Sequence, residues 1–165
     1  MNVQTLNCRA LLTLAYAKAA ESPNPSTQNS ALLVNTEGKV MVAAFNSFID
    51  RVQLSPERLE KPLRYKFSVH AERNVIYKAA EMGVATQGLV MVSPWAPCAD
   101  CAQAIVQSGC SGLITHKQAL DRSGSWQAEV DLGLTILHEA GIEVLIFDGE
   151  LGCTKIRRDG QVWQP

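Results

Sequence analysis

The sequence predicts one layered α/β domain, and three observations lead to this fold class. The 165 residues include 47% hydrophobic and 19% charged side chains, which is enough to bury a sizeable core without disulfide support. Helical and extended patterns alternate along the chain in the order α-β-β-α-β-α-β-α-β. No repeat, low-complexity tract or linker interrupts this order, so we expect residues 1–165 to form a single domain.

The elements of the first half are predicted from apolar spacing and from chain breakers. Apolar residues at helical spacing predict a helix, and two short apolar runs around Thr36-Glu37-Gly38 predict a β-hairpin. Lost periodicity, together with Pro56 and Pro62, predicts a long connection with a short turn. These elements are a helix over 5–20 marked by Leu6, Leu11, Leu14 and Ala17, a loop over 21–27, strands over 31–34 and 40–45, and a connection over 46–66 with its turn at 56–59.

Glycines end each helix predicted in the second half. Ser68 is the expected N-cap of a helix that runs through Met82 and ends at Gly83 in a left-handed conformation. The other helices are expected over 98–108, ending at Gly109, and in the apolar stretch from Leu132 to Leu137, ending at Gly141; strands are expected over 89–92, 113–115 and 142–147. The tail, 149–165, either adds a short element or docks on a neighbouring subunit, and both alternatives stay open.

Charge and cysteine usage exclude several classes of protein. A formal net charge of −1 argues against a protein that coats nucleic acid. The odd count of five cysteines, with no signal peptide before them, argues against a secreted disulfide framework. The longest apolar run, residues 10–17, is far shorter than a membrane span of about 20 residues. We therefore expect a cytoplasmic protein.

Two short motifs carry the candidate chemistry. They are His70-Ala71-Glu72 and Pro97-Cys98-Ala99-Asp100-Cys101, each at the start of a predicted helix. One helical turn places Cys98 and Cys101 on the same side, where a tetrahedral ion can bind both sulfurs. His70 supplies a third ligand and leaves the fourth position for water, as catalytic zinc requires, whereas structural zinc takes four protein ligands. Glu72 is then placed to accept a proton from that water.

Each motif alone has an ordinary alternative explanation. A lone Cys-x-x-Cys is also typical of a redox pair or of half of a structural zinc site, and a lone histidine is more often a hydrogen-bonded spectator. The two motifs together, in this order, match the general pattern of zinc-dependent nucleobase deaminases. Glu72 discriminates further, because a structural zinc site has no use for it.

At these residues the chain resembles the cytidine and deoxycytidylate deaminase superfamily, most closely the dCMP deaminases, over residues 5–148. The segments that carry the resemblance are Pro25-Ser26-Thr27-Gln28, Phe45-Asn46, Val69-His70-Ala71-Glu72-Arg73-Asn74, Pro97-Cys98-Ala99-Asp100-Cys101-Ala102-Gln103 and Ala140-Gly141-Ile142. The resemblance implies a three-layer α/β/α fold with a mixed five-stranded sheet and a homo-oligomer, often a hexamer. It implies hydrolysis of dCMP to dUMP and ammonia, which supplies dUMP for thymidylate synthesis.

The resemblance also assigns roles to individual residues. It implies that His70, Cys98 and Cys101 bind zinc and that Glu72 moves protons. For the substrate, it implies that Asn46 contacts the sugar, that Ser26 and Thr27 approach the phosphate, and that Ala71 and Trp95 border the base; a core or interface role for Trp95 is equally open. His116, Lys117 and Arg122 are the candidate phosphate groups.

One segment departs from the family pattern, and several other activities stay open. Ser47-Phe48-Ile49-Asp50-Arg51 stands where the family usually has a glycine-containing loop. This loop belongs to the region that binds the effectors dCTP and dTTP, so regulation of that kind is the weakest implication of the resemblance. Alternative substrates are dCTP, cytidine, guanine, a riboflavin precursor or tRNA adenosine, although the net charge disfavours a polynucleotide. A zinc-stabilised binding module is the alternative that is not an enzyme.

Overall fold

A five-stranded sheet with helices on both faces forms the centre of the computed structural model, which describes residues 3–165. The strands are β1 (Ser30–Val34), β2 (Val40–Phe45), β3 (Ser47–Phe48), β4 (Ser68–Val69), β5 (Val90–Val92), β6 (Gly112–His116), β7 (Glu143–Phe147), β8 (Ile156–Arg158) and β9 (Gln161–Trp163). The helices are α1 (Cys8–Ala19), α2 (Arg64–Phe67), α3 (Ala71–Glu81), α4 (Ala99–Gln107), α5 (Lys117–Leu120) and α6 (Gln127–Glu139). Short 3-10 helices lie at Val3–Thr5, Pro56–Leu59 and Gly124–Trp126.

The central sheet has the order β2-β1-β5-β6-β7 and is mixed. β1 pairs antiparallel with β2 and β5, whereas β5, β6 and β7 run parallel. This confirms the predicted fold class of three layers around a mixed five-stranded sheet. Within residues 3–165, no helix has both the length and the apolar character that crossing a bilayer requires.

Two hydrophobic layers cover the sheet because successive strand residues point to opposite faces. On one face, Leu32 and Val34 pack with α1 and the 3-10 helix at Val3–Thr5. On the other face, Leu33 and Met91 pack with α3, α4 and α6. The three inner strands, β1, β5 and β6, are therefore buried on both sides, as expected where helices cover both faces.

The helix predicted over 5–20 is confirmed as α1, but its buried face differs from the spacing that predicted it. Leu14 is 53% exposed, and Ala17 is also exposed. The buried residues are Leu11, Leu12, Ala15, Tyr16 and Ala19. Spacing alone identified the helix without identifying its buried face, since this stretch carries apolar residues around most of its circumference.

The predicted N-cap of α3 was two residues too early. Ser68 is not the N-cap; it lies in β4, which pairs antiparallel with β3. The helix begins at Ala71, and His70 is the residue that precedes it in an extended conformation. This pairing brings Ser47 and Phe48, the start of the segment that departs from the family pattern, next to the start of α3. Among residues 3–165, the non-glycine residues with positive φ are Arg51 (64°), in the same segment, and Asp159 (50°).

The tail forms a β-hairpin that packs on its own domain. Strands β8 and β9 are joined by Asp159-Gly160, whose φ angles of 50° and 79° suit a tight two-residue turn. Ile156 is buried with Tyr16 and Trp95, and the Trp163 ring lies 5.6 Å from that of Trp95. Of the two alternatives for the tail, the structure shows the short element.

Candidate active site

The two sequence motifs meet at the starts of α3 and α4. His70 directly precedes α3 and Cys98 directly precedes α4, while Cys101 lies in the first turn of α4. The backbone N–H groups of a helix's first turn have no partner within the helix and favour negative charge nearby. Both helices therefore present an environment that stabilises a thiolate.

The three candidate ligand atoms lie within 4.8 Å of one another. His70 Nδ1 is 3.6 Å from Cys98 Sγ and 3.5 Å from Cys101 Sγ. A tetrahedral zinc ion with bonds of about 2.3 Å to sulfur and about 2.05 Å to nitrogen would hold these atoms roughly 3.6 Å apart. The arrangement of the three side chains therefore fits a zinc ion.

The charge states of the two thiols differ. The hydrogen bond that Cys101 donates to Cys98, together with that from His70, lowers the pKa of Cys98 to about 4. The same hydrogen bond between the two cysteines, together with burial, raises the pKa of Cys101. The hydrogen bond to Cys98 also raises the pKa of His70. A negative charge is thus already stabilised at Cys98, which is the form of cysteine that binds metals.

Glu72 lies beside the ligand cluster. Its side chain is buried at 3% exposure, and Oε2 is 3.7 Å from Cys101 Sγ. Burial raises the pKa of Glu72 to about 7, and the charge of His70 opposes that shift. A carboxyl group with this pKa is able both to accept and to donate a proton near neutral pH.

A cavity of about 150 Å³ opens in front of His70 and Glu72. Five of the eight predicted substrate-binding residues line it, namely Ser26, Thr27, Asn46, Ala71 and Trp95. The structure thus brings together the three candidate metal ligands, Glu72 and these five residues.

Asn46 has a structural role at the cavity wall. Its Oδ1 accepts from the Asn29 N–H group at 2.8 Å, and its Nδ2 donates to the Thr27 carbonyl at 2.8 Å. Trp95 likewise combines the two interpretations left open for it. Its ring lines the cavity, and its Nε1 donates to the buried Gln28 carbonyl at 2.9 Å.

The three residues predicted to approach a phosphate lie outside the cavity lining. His116 is fully buried; its Nδ1 accepts from the Tyr16 hydroxyl at 2.7 Å, and its Nε2 is 2.9 Å from the Gly149 carbonyl. Both ring nitrogens are therefore engaged, so neither faces a substrate. Lys117 pairs with Asp121, and the Arg122 guanidinium lies over the Trp163 ring.

Other basic and aromatic residues line the cavity where His116, Lys117 and Arg122 were expected. Basic side chains on the cavity are Lys61, Arg64 and Arg158, and aromatic ones include Tyr65 and Trp126. The Trp126 ring lies 5.8 Å from both the His70 and the Tyr65 rings, edge to face. The Asp-Gly pair after Arg158 is a recognised hairpin signal that points to the tail turn, whereas no sequence pattern indicated Trp126.

The comparisons with known proteins agree with this geometry. Residues 7–117 match the family described as the cytidine and deoxycytidylate deaminase zinc-binding region. A deaminase encoded in the luxG 3′ region of Aliivibrio fischeri is 28% identical over 123 residues, covering 74% of this chain and 81% of that protein. Deoxycytidylate deaminase of enterobacteria phage T2 is 38% identical over 79 residues, covering 48% of this chain and 38% of that protein.

The fold also matches a solved structure. A dCMP deaminase from cyanophage S-TIM5, solved in complex with dCMP and dUMP, superimposes with a TM-score of 0.63 at 19% identity, covering 89% of this chain and 99% of that one. The sequence match covers 38% of the length of the phage T2 enzyme. The match over residues 7–117 covers most of the chain and contains both motifs, so the chain belongs to the cytidine and deoxycytidylate deaminase family.

Proposed function

We propose that this protein is a zinc-dependent hydrolytic deaminase that converts dCMP to dUMP and ammonia, supplying dUMP for thymidylate synthesis. The observation that carries the proposal is the placement of Glu72 and three zinc-ligand atoms at one cavity. The curated relatives that include dCMP deaminases support the choice of nucleotide. The basic side chains on the cavity also favour an anionic substrate over a free base.

The protein's donor set suits zinc in a catalytic rather than a structural site. His70, Cys98 and Cys101 provide three ligands, whereas structural sites are closed by four. Zinc bound by these residues would act as a Lewis acid that makes water a nucleophile near neutral pH. The thiolate favoured at Cys98 is ready to bind a cation.

Glu72 carries the protons of the reaction. Hydrolytic deamination adds the oxygen of water to C4 of the base, breaks the bond from C4 to the exocyclic nitrogen, and releases ammonia. Glu72 accepts a proton from the attacking water and delivers it to N3. It then takes the second proton from the hydroxyl group formed at C4 and delivers it to the leaving nitrogen. A pKa of about 7, caused by burial, suits both transfers because neither protonation state is strongly preferred at neutral pH.

The remaining cavity residues orient the nucleotide. Ala71 is the first residue of α3, so its N–H group has no helical partner and is a donor for the base. Trp95 and Trp126 provide aromatic surface for the base. Asn46 borders the sugar, and Ser26 and Thr27 border the phosphate; a homo-oligomer and a response to dCTP or dTTP remain further proposals from the family resemblance.

The test of the mechanism is Glu72→Gln. We expect this variant to stay folded and to retain zinc, while dUMP formation falls by at least about 100-fold because the proton carrier is lost. Glu81→Gln is the matched control, because Glu81 is an exposed residue at the other end of α3 and its loss leaves activity intact. Near-normal turnover by Glu72→Gln would contradict the mechanism.

A substrate panel tests the choice of nucleotide. Ammonia release is measured with dCMP, dCTP, CMP, deoxycytidine and guanine, each with and without dCTP as an effector. We expect the highest kcat/KM with dCMP. Preference for deoxycytidine or guanine would assign a different deaminase, and a zinc-loaded protein without activity on any of them would favour the binding module.

A further inference from the structure

The tail hairpin forms part of the cavity wall, although it lies outside the segment that matches the family. The family match ends at residue 117, and the hairpin occupies Ile156–Trp163. Its backbone is fastened to the loop before β1: the N–H of Gln28 donates to the Arg157 carbonyl at 3.0 Å, and the N–H of Gly160 donates to the Ser26 carbonyl at 2.9 Å. These bonds hold the β8–β9 turn next to Ser26 and Thr27.

Arg158 projects from this hairpin to the cavity in a fixed orientation. Its Nε donates to the Arg122 carbonyl at 2.9 Å, and its Nη2 donates to the carbonyls of Arg122 and Ser123 at 2.7 Å each. The guanidinium carbon lies 5.0 Å from the centre of the Trp95 ring. The side chain is only 12% exposed. Two edges of the guanidinium are therefore committed to the protein.

The third nitrogen of Arg158 is held only weakly. Nη1 is 3.3 Å from Thr27 Oγ1 and 3.4 Å from an Asp159 carboxylate oxygen. Both distances exceed the usual 2.7–2.9 Å of a charge-assisted hydrogen bond, and the Asp159 side chain is 68% exposed. A full positive charge with two long, weakly held N–H donors thus remains at the cavity, because a guanidinium does not lose its proton.

We propose that Arg158 is a specificity-determining residue that binds the 5′-phosphate of a nucleoside monophosphate. The inference rests on the proposed function and deepens it. Nη1 redirects its N–H groups from Thr27 and Asp159 to phosphate oxygens while the bonds to Arg122 and Ser123 stay in place. The hydroxyl of Thr27, adjacent to Nη1, is a second donor for the same phosphate.

Two other basic residues line the cavity but are less suited to this role. Lys61 is exposed and Arg64 is half-buried, and each lies over the Tyr65 ring at 5.8 Å. Among the basic residues that line the cavity, Arg158 has the side chain held by three short bonds to backbone carbonyls. Preorganised donors lose less entropy on binding an anion, so we assign the discrimination to Arg158.

The test compares dCMP with deoxycytidine, which lacks the phosphate. In Arg158→Gln, we expect kcat/KM for dCMP to fall roughly 10- to 100-fold, as for the loss of a hydrogen bond to a charged group, while that for deoxycytidine changes less than threefold. Arg157→Gln is the matched control, because Arg157 is the neighbouring hairpin arginine and does not line the cavity; it keeps the wild-type ratio of the two substrates. Equal losses for both substrates in Arg158→Gln would show a purely structural role and overturn the proposal.

Equilibrium binding separates this proposal from the proposed reaction. Isothermal titration calorimetry measures dUMP and deoxyuridine against wild type, Arg158→Gln and Arg158→Lys. We expect dUMP to bind wild type at least tenfold more tightly than deoxyuridine, Arg158→Gln to lose this preference, and Arg158→Lys to retain part of it. Loss of the preference in an enzyme without deaminase activity would support the phosphate site and refute the reaction; a preference unchanged in every folded variant would refute the phosphate site. If Arg158→Gln does not fold, the Arg158→Lys variant decides the question. A preference for dUMP over deoxyuridine that is as strong in Arg158→Lys as in wild type would contradict the need for the guanidinium.

Discussion

Helix α6 contacts the loop that ends at Cys98 through Gly133. At this position we expect alanine to destabilise the fold, although alanine has the higher helix propensity. A Cβ atom built on Gly133 would lie 2.2 Å from the Pro97 carbonyl oxygen and 3.0 Å from the Cys98 carbonyl carbon. In an ordinary helix, replacing glycine by alanine stabilises by about 1 kcal/mol. Here the new methyl group instead meets backbone atoms, which cannot rotate out of the way.

The magnitude follows from the required movement. Ordinary contacts begin at 3.4 Å, so the 2.2 Å contact requires a shift of about 1.2 Å between α6 and the loop that ends at Cys98. Overpacking of a dense core costs about 1–3 kcal/mol, and a 2.2 Å contact with backbone corresponds to the upper end, about 3 kcal/mol. The gain in helix propensity offsets about 1 kcal/mol of this cost. We expect Gly133→Ala to lower the free energy of unfolding by about 2 kcal/mol, which corresponds to roughly 4–8 °C in Tm for a domain of this size.

Denaturant unfolding, thermal unfolding and zinc retention against a chelator provide the assay. Thr135→Ala is the matched control, because Thr135 is exposed on the same helix and its replacement changes stability by no more than about 0.5 kcal/mol. Since the shift moves Cys98, we also expect Gly133→Ala to release zinc faster than the control. Equal or greater stability of Gly133→Ala would refute the reasoning from the close contact.

Two further predictions concern polar side chains that are hydrogen-bonded within the fold. Burial lowers the pKa of His116, so below about pH 6.5 the unfolded chain binds a proton that the folded chain does not. The free energy of unfolding is therefore expected to fall as the pH decreases from 7 to 5. Denaturant titrations at each pH should show a less steep fall for His116→Gln. Asn46→Asp replaces the donor that faces the Thr27 carbonyl with an acceptor and is expected to cost about 1–3 kcal/mol in denaturant unfolding. Asn35→Asp, which keeps both bonds accepted from the amides of Glu37 and Lys39, should stay within about 0.5 kcal/mol of wild type. Parallel pH profiles for wild type and His116→Gln, or equal stability of the two aspartate variants, would contradict these assignments.

The structure brings His70, Cys98 and Cys101 together as the sequence predicted, because the two motifs that contain them are short and local. Cys98 and Cys101 are one helical turn apart, and His70 and Glu72 stand at the start of another helix, so residue type and spacing already define the chemistry. The four longer helices, the five strands of the central sheet and the glycines that end α3, α4 and α6 were predicted for the same reason. The errors arose where tertiary contacts compete with local preference, as at Ser68, which pairs in β4 instead of capping α3.

The substrate side of the cavity was decided by tertiary structure. His116, Lys117 and Arg122 looked suitable as basic residues after a strand. In the fold, however, the Gly149 carbonyl of the tail engages Nε2 of His116, and the Tyr16 hydroxyl of α1 engages Nδ1. The basic group that the fold places at the cavity instead is Arg158, more than 80 residues beyond Glu72 in the chain. No periodicity along the chain reports such a contact, because it depends on where the hairpin docks.

By itself, the sequence predicted the α/β layering from the order of its helical and extended segments, and the candidate zinc ligands and proton carrier from residue type and spacing within two short motifs. Only the tertiary structure decided which face of α1 is buried, how closely Gly133 approaches the loop that ends at Cys98, and which basic side chains line the cavity. The physical reason is that these features depend on packing between segments far apart in sequence, where close contact and hydrogen-bond satisfaction select one arrangement from many that local preferences allow.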